Sequence, residues 1–558
     1  MMYDICIVGS GAGAGPVALE LSKAGYRVLV LEKGPLYEKE RFFKDEIGVS
    51  RRSTFTPRLD REQHVVEEME NGRWVSTPTS KSGWDFWNGN IVGGSSNFMS
   101  GYFHRMKPQD FRLKSVYGDI KGANTVDWPI SYEELEPYYT KVESLVGVSG
   151  KVDRHPYLEP RSTPDFPLPP TQEHAISLWF DRACKKQGLY SIRTPRAVLS
   201  QDQDDRKSCE YAGYCGSYGC SSGAKGSSRE ALLHKALKTG NCTIKANSFV
   251  RRLVSNKKRV SFAEYVDKEG AVHQAKAAIF VVAAQAIESS RLLLNSKSEY
   301  FPNGLANNSG QVGKNLLFSA GGSGTGAFYY DDMSEEEASA LKTVGPFVNR
   351  SLQDWYELNI DDKKHKGGTI DFLFEHPNAV SRAKRALNDG GLVWGDALKE
   401  RMLHHFKKRR VFSFEVFCDW TPTDDCYVSL DAETKDRWGM PVAKIRIGAH
   451  EHDIKVGESI AVEAEKLLEE MGAREISSYI SSIPPQNLQA GGCRFGNDPK
   501  SSVLDKNCRA HEVGNLYVSD GSFMPTGGSV PYTWTIYANS FRIADKIIEQ
   551  LKEERKDV

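Results

Sequence analysis

The 558-residue chain has no run approaching about 18 consecutive apolar residues, the length a helix needs to cross a bilayer. No direct membrane insertion is therefore expected. An excess of either charge is also missing, since 73 Lys and Arg balance 73 Asp and Glu. That balance removes the usual electrostatic argument for nucleic acid or an anionic membrane as partner. Cysteine is sparse, ten in 558 residues, which excludes a disulfide-framed scaffold. Met1 leads into a strand-like segment without the basic region, apolar core and cleavage site of a signal peptide. Alone, the chain is expected in the cytoplasm; export needs a partner that carries the signal. No internal repeat is present. What remains, 39% hydrophobic and 26% charged, suits a globular enzyme of two joined domains or about three units.

Tyr3–Val8 reads as a short buried strand and Val28–Leu31 as a second. Between them lie the turn Gly9-Ser-Gly-Ala-Gly-Ala-Gly15 and a helix over Pro16–Ala24, with Pro16 tolerated because it lies in the first turn. Gly25 is a plausible stop. Further on, Ser227 and Glu230 have capping-box spacing ahead of a helix. Strands are expected near Thr243–Ala246, Val260–Val266 and Ala278–Val282, and helices over Glu458–Met471 and after Ser540. The stretches Pro35–Trp84 and Arg154–Pro170, the latter with six prolines, read as loop-rich.

Gly9-x-Gly11-x-x-Ala14 stands between a strand and a helix, as dinucleotide binding requires. Gly9 permits a tight turn, Gly11 lets a pyrophosphate approach the backbone, and Ala14 is small enough for helix to pack on strand. Glu32 follows Gly9 by 23 residues at a strand end, where a carboxylate can accept from ribose hydroxyls. An acid there argues against a 2′-phosphate, hence against NADP. This unit alone does not separate FAD from NAD.

Three of the ten cysteines cluster as Cys209, Cys215 and Cys220, with spacing C-x5-C-x4-C and glycines between. Such a cluster reads as metal or redox chemistry first. Structural zinc wants a fourth ligand, and His174 and His234 are distant in sequence. Three thiolates suit a [3Fe–4S] cluster, and buried free thiols are the plain alternative.

Four further pieces follow in order: Asn90-Ile-Val-Gly-Gly-Ser-Ser-Asn97, the strand-to-helix run Val281–Leu293, Val312-Gly-Lys-Asn315, and Asn515–Gly528. Between the last two lie Val428-Ser-Leu430 and Asp436–Pro441. In this order the chain resembles the glucose–methanol–choline oxidoreductases, and the cysteine segment resembles the flavoprotein subunits of gluconate 2-dehydrogenase-like enzymes. Relatives often carry another cysteine where Ala212 stands, so the resemblance favours a three-iron over a four-iron cluster.

The resemblance implies an α/β chain, α+β overall, with a Rossmann-like FAD-binding domain interleaved with a substrate domain on an antiparallel sheet. The implied parts are 1–120, 206–318 (with the cysteines) and 491–558 for FAD, and 121–205 and 319–490 for substrate. Gly93, Gly94, Ser95, Ser96 and Asn97 would lie along pyrophosphate and flavin, and Val250 would offer its backbone to adenine. Ala283–Ala286 would close over the ADP part, and Asp520 and Gly521 would meet phosphate and ribityl chain. The flavin is expected to be non-covalent, because the turn continues Asn97-Phe98-Met99 where some relatives have a linking histidine.

The implied activity is oxidation of a CH–OH group of a sugar, gluconate-like sugar acid or polyol by hydride transfer to FAD. A [3Fe–4S] cluster would relay single electrons to a cytochrome or quinone. Small and cytochrome c subunits are expected partners, giving a periplasmic, membrane-associated complex. The family's histidine position falls on Leu488 and its asparagine position on Pro531, so the usual base is missing. Gln489 and Tyr532 are taken as the residues that meet the substrate, with Asn487 beside them; the alternatives are a histidine from elsewhere as base, such as His104 or His511 (the latter expected to be structural), and an inactive chain. Arg350 suits a substrate carboxylate or an ordinary surface charge. An oxidase producing hydrogen peroxide, and a non-catalytic FAD-binding scaffold, are the alternatives.

Overall fold

The computed structural model describes residues 2–47, 52–388 and 391–556. Strand β1 (Tyr3–Val8) turns at Gly9 into helix α1 (Ala14–Lys23), and strand β2 (Val28–Leu31) returns beside β1. Ile5, Ile7 and Val28–Leu31 are almost wholly buried. Each such side chain contributes about 1.5–3 kcal/mol by leaving water, which explains the near-continuous apolar runs of a sheet covered on both faces.

The sheet is parallel and five-stranded, in the order Leu516–Val518, Ala277–Val282, β1, β2, Cys242–Lys245. Parallel neighbours require crossover connections, so this sheet draws on segments more than 200 residues apart. α1 lies against the C-terminal helix Thr533–Lys556, which in turn packs on helix Tyr132–Val146.

The second layer is a six-stranded antiparallel sheet. Its order is Arg474–Ile480, Ala320–Tyr329, Arg409–Cys418, Gly368–Phe374, Val348–Leu352, Ile192–Arg193. Helix Glu451–Glu470 covers one face of it. The combination is the expected α/β arrangement of a Rossmann-like unit beside an antiparallel sheet.

Several sequence expectations shift. α1 begins at Ala14, two residues before Pro16. The segment after Ser227 opens as a π-helix over Ser228–Leu233, with the Ser227 hydroxyl accepting from the Glu230 amide at 3.2 Å. The supposed loop Pro35–Trp84 holds a hairpin, Val65–Glu70 and Arg73–Pro78, which joins Pro441–Arg446 in a four-stranded sheet. No helix of the described residues is long and apolar enough to cross a membrane.

Candidate functional site

A cavity of about 530 Å³ runs from the first turn of the parallel sheet to the antiparallel sheet, a volume typical of small-molecule and cofactor sites. At one end lies the turn Gly9–Gly13. Gly9 has φ +95°, and a Cβ there would stand 2.3 Å from the Ala283 carbonyl oxygen. A Cβ on Gly13 would meet the Asp520 amide and the Ser519 carbonyl at 2.7 Å. Both glycines are therefore demanded by neighbouring backbone. Gly11 is different: a Cβ there would meet nothing within 4 Å, and the residue faces the cavity. Its missing side chain leaves room for a ligand rather than for protein. No side chain caps α1, so the positive end of its dipole is left for an anion. Ala14 is fully buried in the helix seat and does not reach the cavity wall.

Glu32 lines the same end. It accepts from the Ser10 hydroxyl at 2.5 Å and the Gly34 amide at 2.7 Å. Burial raises its pKa, with those two hydrogen bonds and Lys33 opposing. Val250 and Ala283–Ala286 are on the wall beside it.

The glycine-serine turn divides its labour. Gly94, Ser95 and Ser96 face the cavity, whereas Gly93 and Asn97 shape the turn behind it. The Gly93 amide donates to the Ser10 hydroxyl at 2.9 Å, and Asn97 Nδ2 donates to the carbonyls of Val92 and Gly94. Asp520 and Gly521 reach the wall. The Asp520 carboxylate is fully engaged, by the Ser289 hydroxyl, the Gln285 amide, and the Ser522 amide and hydroxyl. Its contribution to a ligand is through fixed backbone rather than free charge.

At the far end the wall is formed by Phe347, Leu373, Ser413, Glu415, Phe417 and the loop Asn487–Gln489. Gln489 is on this wall but pinned: its Oε1 accepts from Gln285 at 2.8 Å and its Nε2 donates to the Gln486 carbonyl at 2.6 Å. Asn487 keeps a buried Oδ1 without a partner. Tyr532 touches the wall, yet its hydroxyl donates to the Phe318 carbonyl at 2.5 Å. Burial, with the charges of Asp419 and Asp453, pushes it far above the ordinary tyrosine range. It can shape the cavity but does not offer a base.

His104 is buried against Asp371 at 3.0 Å and the half-buried His511 lies 2.9 Å from the Ser502 hydroxyl, both off the cavity wall. Arg350 is neither a surface charge nor a free anion receptor. It is buried and held by Asp181 and Glu173 at 2.8 and 2.7 Å. Glu415, on the wall, was not singled out by sequence reasoning. No local signal marked it, since whether a strand glutamate faces inward depends on the register of the neighbouring strand.

Cys209, Cys215 and Cys220 open onto one small cavity of about 40 Å³, with Lys44, Arg196, Lys225 and Phe347. Phe347 also lines the main cavity. Lys225 Nζ donates to the carbonyls of Asn97, Cys215 and Tyr218 at 3.2, 2.9 and 2.6 Å, tying the cysteine loop to the glycine-serine turn. Burial alone would raise the Cys220 thiol, but Lys44 and Lys225 outweigh it and lower its pKa. Burial and Cys215 push Cys209 up to about 11. The donors are of the right kind for an iron–sulfur core. As folded, however, no three His, Cys, Asp or Glu among the described residues form a group that could hold a metal ion. The expected [3Fe–4S] site is thus not assembled by these side chains as they stand, although the three thiols share one cavity.

Two family models for GMC oxidoreductases match the chain, the N-terminal one over residues 71–319 and the C-terminal one over 422–540. Among curated relatives, 2-methyl-1,2-propanediol dehydrogenase of Mycolicibacterium austroafricanum is 28% identical over 99% of this chain and 96% of its own length. The fructose dehydrogenase large subunit of Gluconobacter japonicus is 27% identical over 99% and 98%. The gluconate 2-dehydrogenase flavoprotein of Pantoea cypripedii is 23% identical over 98% and 94%. Among solved structures, pyridoxine 4-oxidase from Mesorbium loti shares the fold, with a TM-score of 0.60 at 18% identity over 98% of this chain and 99% of that one.

Proposed function

Because this chain belongs to the GMC oxidoreductase family, an FAD-dependent family acting on alcohol- and sugar-type substrates, we propose that it is a dehydrogenase for a sugar, sugar acid or polyol. The observation that carries this reading is the single cavity that joins a diphosphate-ready turn to an antiparallel sheet. When bound, FAD supplies the two-electron acceptor for the C–H bond of the substrate. Gly9–Gly13 and Glu32 would hold its ADP end, with Val250 and Ala283–Gln285 beside it. Gly94–Ser96 and the backbone at Asp520–Gly521 would hold the rest. Asn487 Oδ1, buried without a partner, would accept a hydrogen bond from the substrate, and the pinned Gln489 would fix the floor beneath it.

A gluconate-like activity is one choice within this class, since the relatives carry names for a diol, a sugar and a sugar acid. The proposal passes electrons to an external acceptor without a step through Cys209, Cys215 and Cys220, whose thiols share a small cation-lined cavity but form no metal-holding group as folded. It also includes an acceptor subunit, for which the name "large subunit" of one relative is the support, and export together with such a partner.

The test is anaerobic addition of a panel of sugars, sugar acids and polyols to FAD-loaded protein, with iron and sulfide quantified on the same sample. Bleaching of the flavin by at least one of them, with electrons passed to artificial dyes, is expected. Oxygen consumption with peroxide release and no dye reduction would replace the dehydrogenase by an oxidase. No bleaching would leave an FAD-binding scaffold. Cell fractionation with and without the partner tests export; protein confined to the cytoplasm in both overturns it.

A further inference from the structure

Glu288, Glu375 and Glu415 are acids on the cavity wall outside the residues that would hold the cofactor. Glu415 lies on strand Arg409–Cys418, where Ser413, Glu415 and Phe417 line the cavity and Phe412, Phe414 and Val416 alternate into the core. A charged group at such a position is costly unless something compensates it. Its Oε2 accepts from the Tyr102 hydroxyl at 3.0 Å. Across the sheet its register partners are Asp371 and Ser323. Asp371 is itself engaged by His104 and Ser351. Near Tyr102 stands Arg196. Burial lifts Glu415 to about 7, with the Tyr102 bond opposing and the Asp371 charge adding.

Tyr102, Phe347 and Phe417 form one buried cluster on which Leu373 and Leu488 pack. Glu415 is bound to Tyr102 and is two residues from Phe417. It therefore faces the chamber closed by Asn487, Leu488 and Gln489. The other candidates there are held differently. Glu375 faces Arg382 at 3.6 Å. His376 stacks on Phe347 with centroids 4.4 Å apart and meets Tyr218 of the cysteine loop at 5.1 Å. Asn487 and Gln489 are neutral amides, which cannot take a proton near neutral pH.

We propose that Glu415 is the general base of this enzyme, receiving the substrate hydroxyl proton, with Tyr102 as the residue that positions it. The proposal rests on the reading of the chain as an FAD-dependent CH–OH oxidoreductase. In the step, the O–H bond breaks and its proton goes to the Glu415 carboxylate. The C–H bond breaks with its electron pair, which passes as hydride to FAD as oxidant. A C=O bond forms, the substrate loses two electrons and FAD gains them. Protonated Glu415 then releases its proton to water in the cavity.

The experiment compares wild type, Glu415→Gln and Glu415→Asp, each loaded with FAD. Flavin content, anaerobic reduction rate across about pH 5–9 with a substrate that bleaches wild type, and an infrared titration of carboxyl groups are read. Glu415→Gln is expected to keep its FAD and to be reduced about 10²–10⁴-fold more slowly. The wild-type rate should fall as pH drops through about 7, and Glu415→Gln should lose that limb. A carboxylic-acid band titrating in the same range should be present in wild type and absent from Glu415→Gln. Glu415→Asp, which keeps a carboxylate, should recover part of the rate and a shifted limb, and it carries the test if the glutamine variant folds poorly. Reduction of either variant at the wild-type rate with an unchanged limb, or no titrating band in wild type, overturns the proposal. If no panel substrate bleaches wild type, the oxidoreductase reading falls, and the proposal with it.

Discussion

The two glycines of the first turn should fail in opposite ways when each gains one methyl group. At Gly9, φ is +95° and a Cβ would lie 2.3 Å from the Ala283 carbonyl oxygen. A non-glycine residue in a left-handed conformation costs about 1–2 kcal/mol, and the overlap with the Ala283 carbonyl, just past strand Ala277–Val282, adds to it. Gly9→Ala should therefore melt at a lower temperature even without cofactor. At Gly11 nothing lies within 4 Å of a Cβ, so Gly11→Ala should melt like wild type without cofactor. The new methyl would instead occupy the space of the diphosphate. Losing one charge-assisted backbone hydrogen bond there costs about 1.5–3 kcal/mol, a roughly tenfold to hundredfold rise in the Kd for FAD at 1.4 kcal/mol per decade. Thermal melts of the two apoproteins, with FAD titration by flavin fluorescence, read both effects. Wild-type FAD affinity in Gly11→Ala, or destabilisation of its apoprotein to match Gly9→Ala, would show that no diphosphate approaches this turn.

Glu32→Ala removes the acceptor for the Ser10 hydroxyl and the Gly34 amide, and each buried donor left unpaired costs about 1–3 kcal/mol. Its Kd for FAD, measured by the same titration, should rise at least about tenfold, and an unchanged value would remove Glu32 from the site. In iron-free protein near neutral pH, iodoacetamide should label Cys220 before Cys209, because Cys220 is lowered by Lys44 and Lys225 while Cys209 is raised to about 11. Mass spectrometry of the peptides would refute this if the order were reversed. Asp453 is raised from 3.8 to about 7, chiefly by burial, against the bonds from Thr421. A raised folded-state pKa means its stabilising contribution is full below the unfolded value and is lost as pH climbs towards 7. Asp453→Asn should flatten the pH dependence of the melting temperature between about pH 4 and 7. An unchanged slope there would contradict the shift.

The nucleotide half was legible because local rules and tertiary packing agree there. Tyr3–Val8 and Val28–Leu31 carry buried-strand patterns, Gly9 and Gly11 punctuate the turn, and Glu32 marks the strand end. The hairpin at 65–78 also had a signal, Asn71-Gly72 with both φ values positive, which is a strong hairpin turn hidden inside a polar stretch. The antiparallel sheet was obscured by its own packing. Strand Ala320–Tyr329 contains four glycines, which read as a loop. A Cβ on Gly321 or Gly322 would stand 2.1 or 2.0 Å from a neighbouring strand carbonyl, and one on Gly324 would be 2.2 Å from the Phe414 ring. Glycine is chosen there for close approach rather than for turning. Sequence places Tyr532 beside the family's asparagine position, and the structure puts it on the cavity wall, but sequence does not reveal the Phe318 carbonyl that takes its hydroxyl. Glu415 was missed because nothing local distinguishes an inward glutamate from a solvent-facing one until the strand's register with Asp371 is known.

The most direct test of the account is one anaerobic titration. Apoprotein is mixed with FAD, freed of excess, and challenged with the panel of sugars, sugar acids and polyols while the visible flavin absorbance is followed. About one FAD per chain should be retained by the cavity that begins at Gly9, and at least one substrate should bleach it. A folded sample that stays colourless after reconstitution would contradict the account at its root.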